Sequence, residues 1–68
     1  MQILITIKYN SPAGNVTQNG YFQLKGKLPE QIALQWWKDI QRNVFAHDLI
    51  SVKCEDEDIT EKVKALLG

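Results

Sequence analysis

A chain of 68 residues has room for one domain and one modest core, so any binding site must lie on its surface or between copies. Its eight basic and eight acidic side chains cancel, which removes the global field that would recruit nucleic acid or an anionic membrane. A single cysteine, Cys54, cannot form an internal disulfide and suits a reducing compartment.

The first predicted element is a strand from Ile3 to Tyr9. Ile3, Ile5, Ile7 and Tyr9 alternate with Leu4, Thr6 and Lys8, and β-branched side chains fit a pleated, half-buried surface. The apolar richness of this segment predicts a central strand. No basic leader precedes it and the chain turns polar at Lys8, so a cytoplasmic protein is expected; no run approaches the roughly 18 apolar residues of a membrane span.

From Asn10 to Gly20 the chain is dense in turn formers and reads as a loop, with Val16 as a possible extension of the next strand and Asn19-Gly20 as a tight-turn signal. The second strand is predicted over Tyr21 to Leu28, with Phe22, Leu24 and Leu28 inward and Tyr21, Gln23, Lys25 and Lys27 outward. Gly26 interrupts the inward series, as at a bulge or a close approach of another group, here an indole.

A helix is expected from Pro29 to Val44. Pro29 suits the first helical position and drives Leu28 into an extended conformation. At 100° per residue, Ile32, Trp36, Ile40, Ala33, Val44 and Trp37 fall within about 140° of arc. Trp36 lies nearer the centre and is the expected core indole; Trp37 lies at the edge. Leu34 and Phe45 lie off the arc. These three, Leu34, Trp37 and Phe45, are the candidate partner-binding residues, since interface anchors favour Trp and apolar side chains left outside a core.

Ile50, Val52 and Cys54 alternate with Ser51, Lys53 and Glu55 as a third strand. The acidic block from Glu55 to Asp58 precedes a short second helix striped by Ile59, Val63, Leu66 and Leu67. Asp58 is its expected N-cap, with Glu61 reaching back as in a capping box and Gly68 ending the helix.

The expected fold is one α+β domain over residues 1–68, a two-layer β-β-α-β-α sandwich. Its three-stranded antiparallel sheet has order 2-1-3, and both helices cover one face. The order of the first four elements, with the start Met1-Gln2-Ile3, resembles β-grasp domains such as ubiquitin. That family's later strands and C-terminal tail have no counterpart here, and no residue role is carried over.

Two functional expectations follow. The first is a binding or assembly module rather than an enzyme, acting on a protein partner or on itself through a sheet edge or exposed apolar residues. The second is single-stranded nucleic-acid binding by a lysine-rich open sheet face carrying Lys8, Tyr21, Lys25, Lys27 and Lys53, where phosphates meet lysines and a base stacks on the tyrosine. The acidic block lacks the spacing of a calcium loop. His47, Asp48 and Cys54 contain the residue types of a thiol nucleophile with its base, but Cys54 is expected to face the core, whereas a working thiolate needs exposure. No metal, cofactor, membrane or small-molecule substrate is expected.

Overall fold

The computed structural model describes residues 2–44 and 46–67. A hairpin begins the chain: β1 (Gln2–Ser11) and β2 (Gly14–Gln23), each of ten residues, pair along their whole length. α1 (Pro29–Asn43) crosses to β3 (Leu49–Cys54), a short β4 (Glu57–Asp58) returns against β3, and α2 (Thr60–Leu67) closes the chain. Every strand pair is antiparallel and the sheet order is β2-β1-β3-β4. The α+β class, the central first strand and the two helices match the expectation from the sequence, while the sheet has four strands where three were expected.

β1 is central for the reason its pattern implies. Ile3, Ile5, Ile7 and Tyr9 are buried against Ala33, Trp37 and Ile40 of α1, together with Val52, Ile59 and Val63. Apolar groups at every second position of a strand form one face, and removing that face from water is the main driving force of folding.

The second strand departs from expectation. The segment from residue 14 to 20, read as loop, is strand, and the chain turns tightly at Pro12-Ala13. Lys25 and Gly26 do not continue β2. They form a tight turn closed by the Lys27 N–H donating to the Leu24 carbonyl at 2.8 Å, with φ of 49° and 82° respectively. Gly26 thus supplies turn geometry, not space for an indole. That space is at Gly20, where a Cβ would lie 3.2 Å from the Trp36 ring and 2.8 Å from Phe22. Leu24 packs on the core edge, whereas Leu28 is exposed.

Pro29 opens α1, and Leu28 before it is extended (φ −81°, ψ 149°), as a residue preceding proline prefers. The Leu28 N–H donates to Gln31 Oε1 at 3.0 Å, satisfying one donor at the helix entry. The helix ends one residue short of the expectation: Val44 is extended and largely exposed, not core.

The two indoles exchange their expected roles. Trp37 is only 2% exposed, with its ring 5.6 Å from that of Tyr9, and Trp36 is half-buried against Phe22 at 5.0 Å. α2 packs against α1 as a second surface, and the buried residues of α1, Ala33, Trp37 and Ile40, form a stripe centred closer to Trp37.

In β3 a bulge between Lys8 and Tyr9 of the register sets Leu49, not Ile50, opposite Tyr9, and Ile50 points largely to solvent. A bulge adds one residue to one strand and so reverses the inside-outside phase beyond it. Ile59, just before α2, and Val63 within it are buried as expected, while Leu66 and Leu67 stay exposed. Asp58 accepts the Thr60 N–H at 2.9 Å, so it caps from one residue further out than predicted. Phe45 and Gly68 lie outside the described residues.

Candidate functional site

The two edges of the sheet are unlike, and the difference is built from named backbone groups. In β1, Leu4 and Asn10 turn their N–H and C=O groups toward β3: the Leu4 carbonyl accepts the Glu55 N–H at 2.8 Å, and the Asn10 N–H donates to the Asp48 carbonyl at 2.9 Å. Even-numbered β1 residues therefore bond toward β3 and odd-numbered ones toward β2, because bonding direction alternates along an antiparallel strand. The register Ile3↔Phe22, Ile5↔Gly20, Ile7↔Gln18 and Tyr9↔Val16 then commits the even-numbered β2 residues to β1. Asn15, Thr17, Asn19, Tyr21 and Gln23 turn their N–H and C=O groups outward. None of these bonds to another part of the chain among the described residues.

The opposite edge is covered from Val52 to Cys54. The outward groups of Val52 are taken by α2: its carbonyl accepts the Ile59 N–H at 2.9 Å, and its N–H donates to Thr60 Oγ1 at 2.9 Å. Cys54 is covered by Glu57 of β4. What remains at that edge is two residues long and carries Glu57 and Asp58, charged side chains that discourage a further strand. The expected order 2-1-3 makes strands two and three both exposed edges; in the structure β4 and α2 cover β3, and β2 is the long open edge among the described residues.

β2 reads GNVTQNGYFQ, without charge and without proline. Long, regular, uncharged edges are what soluble proteins avoid unless the edge is to be paired. Its inward side chains Val16, Gln18, Gly20 and Phe22 are all only half-buried, because α1 and α2 lie over β1 and β3. Gln18 Nε2 donates to the Tyr9 hydroxyl at 2.9 Å. Outward, Thr6 Oγ1 donates to Asn19 Oδ1 at 2.7 Å, and Tyr21 stands 69% exposed.

Next to the open edge, Phe22, Leu24, Ile32, Leu34 and Trp36 line an open groove of about 680 Å³ whose wall continues to Leu66. Leu34, expected as an exposed anchor, is half-buried in this wall. Trp37, the second anchor, has no surface to offer. Trp36 takes its place as the accessible indole, a residue the sequence assigned to the core.

The lysine face is dispersed. Lys8, Tyr21 and Lys53 share the open sheet face, but Lys25 and Lys27 belong to the turn before α1 and lie beside the groove. Lys53 sits opposite Asp58 in the sheet, so its charge is partly answered there. The other side chains of that face on β1 and β2 are mostly Thr, Asn and Gln, arranged as the pairs Thr6↔Asn19, Lys8↔Thr17, Asn10↔Asn15 and Gln2↔Gln23.

His47 lies two residues before β3 and Cys54 is its last residue, about 20 Å apart at the usual rise of extended chain. Burial pushes the Cys54 thiol above its ordinary pKa, and Glu55, Glu57 and Glu30 add to the shift, which keeps it protonated and weakly nucleophilic. Among the described residues no group of three or more His, Cys, Asp or Glu side chains could hold a metal ion, and no helix is long and apolar enough to cross a membrane. No protein-family model, curated protein or solved structure matches this chain.

Proposed function

We propose that the chain is a docking module, not an enzyme, and that it acts through protein–protein contact by accepting an added strand along β2. The observation that carries this reading is the contrast between the edges: a ten-residue uncharged strand of which five residues turn outward N–H and C=O groups that find no partner among the described residues on one side, and an edge covered by α2 and the acidic β4 on the other. An extended segment laid against β2 gains a ladder of main-chain hydrogen bonds, and side chains of alternating face supply selectivity. Trp36 and Phe22, half-buried beside that edge, add apolar area to the same contact. A cytoplasmic setting belongs to this reading, supported by the lone Cys54.

The nucleic-acid alternative draws its support from Lys8, Lys53 and Tyr21 on the open face; the separation of Lys25 and Lys27 from them weakens it. A photo-reactive phenylalanine analogue at position 21 tests docking in living cells. Irradiation is expected to give a covalent adduct with a protein from position 21, and none from the same probe at position 38, on the exposed side of α1. Equal yields at both positions, or none at 21, would refute docking at β2.

A further inference from the structure

We infer that the strand that pairs with β2 is the β2 strand of a second copy of the chain, antiparallel, with Asn19 of one copy opposite Asn19 of the other; this deepens, and rests on, the docking reading above. Antiparallel pairing of identical edge strands in one continuous sheet places a twofold axis perpendicular to the sheet. The contact is then isologous, with residue i facing residue j and j facing i. Both helical layers fall on the same face, and residues of the same parity stand opposite one another.

Asn15, Thr17, Asn19, Tyr21 and Gln23 carry the outward-facing backbone groups. With the axis at Asn19, Thr17 faces Tyr21 and Asn15 faces Gln23, so every one of these residues finds a partner inside the strand and about ten main-chain hydrogen bonds form. A slip of the axis to Gln18 sets Gln23 against Ala13 in the hairpin turn, and a slip to Gly20 sets Asn15 against Lys25 in the following turn. Either slip loses bonds at both ends.

The side chains agree with this register. On the open face the exposed ring of Tyr21 lies across from a β-branched Thr17, a favourable cross-strand pair. Asn19 Oδ1 is already held by Thr6, which leaves its Nδ2 to donate across the axis. On the helical face Val16 faces Phe22 and Gln18 faces Gly20. Trp36, which stands over Gly20, is thereby brought to the seam from both sides.

Charge supplies the argument for a second copy over a different partner. A self-pair confronts each strand with its own charge pattern, so a charged residue near the axis would meet a like charge. β2 has no charged residue from Gly14 to Gln23, and it offers a charged partner nothing to complement.

The test is cysteine cross-linking of the full chain in a Cys54→Ala background. Asn19→Cys is expected to give a disulfide-linked dimer on mild oxidation, since Cα atoms in a bonded antiparallel pair are about 5.5 Å apart. Thr17→Cys alone and Tyr21→Cys alone are expected to stay monomeric on a denaturing gel, and an equimolar mixture of the two to give the mixed dimer. In parallel, Asn19→Lys and Asn19→Glu should each weaken self-association at least about tenfold, and mixing them should restore it; that rescue separates like-charge repulsion from misfolding.

A dimer that cross-links Thr17 to Thr17, or that forms without a link at position 19, overturns the inference and leaves strand docking at β2 standing. A chain that sediments as a monomer at about 1 mM overturns it too. In that case an adduct from position 21 to a different protein preserves docking, and the absence of any adduct removes both readings.

Discussion

Gly20 is where a single missing carbon lets the hairpin and the helix meet. A Cβ there would come within 2.8 Å of the Phe22 ring and 3.2 Å of Trp36, and those two rings already brace one another at 5.0 Å. Replacing a strand glycine ordinarily gains up to about 1 kcal/mol from reduced unfolded-chain freedom, but overpacking costs about 1–3 kcal/mol. Gly20→Val is therefore expected to lower stability by about 1–2 kcal/mol, read as a lower urea midpoint at unchanged slope. Thr60 is the polar counterpart. Its hydroxyl oxygen accepts the Val52 N–H and the same group bonds Asp58, tying the start of α2 to β3 in a buried setting. Thr60→Val preserves shape but strands that N–H, so a loss of about 1–3 kcal/mol is expected, measurable by chemical denaturation together with faster exchange of the Val52 amide.

At the scale of elements, what the sequence discloses depends on what covers each segment. β1 was legible because helices cover it along its length and every second residue is apolar. Only the last three residues of β2, Tyr21 to Gln23, read as strand; residues 14 to 20 read as loop because their inward positions, Val16, Gln18 and Gly20, give an alternation diluted by the half-cover they receive, and Asn15, Asn19 and Gly20 read as turn chemistry. The signal that could have found it is the length match around Pro12-Ala13, since a two-residue turn forces equal arms. The indoles were assigned in reverse because a helical arc computed alone cannot include α2.

Lys25 occupies the left-handed region at φ 49° before Gly26 at 82°, the pairing that hairpin turns fill with Asn-Gly. Lys25→Asn is expected to raise the melting temperature by relieving about 1 kcal/mol of backbone strain. At the head of α2, the Thr60 hydroxyl and N–H, with help from Lys53, hold the Asp58 carboxyl below the ordinary aspartate range. A folded-state pKa below the unfolded one adds stability that is fully present above the unfolded value and is lost as pH falls through the folded one. Urea midpoints should thus drop below about pH 4, and Asp58→Asn should flatten that drop while lowering stability at neutral pH.

For the whole molecule, the sheet is sealed at one side by α2 and β4 and open at the other, and the helices leave β2 only half covered. In the sequence, the open half of this asymmetry shows as an absence, a ten-residue run without charge, which is easily taken for a loop. Its physical consequence separates the two functional readings. Contacts made by main-chain hydrogen bonds and apolar rings between uncharged strands release no counterions, whereas phosphate binding by lysines weakens steeply with salt. Self-association measured by sedimentation is accordingly expected to change less than about twofold between 50 and 500 mM salt. Because a partner that binds only the folded chain stabilises it by mass action, the melting temperature should rise with protein concentration. Asn19→Pro removes an N–H that points outward and so leaves the β1 pairing intact. It should abolish the concentration dependence while the dilute-limit melting temperature shifts only slightly; a melting temperature that climbs equally with concentration in this variant would mean that the copies meet somewhere other than β2.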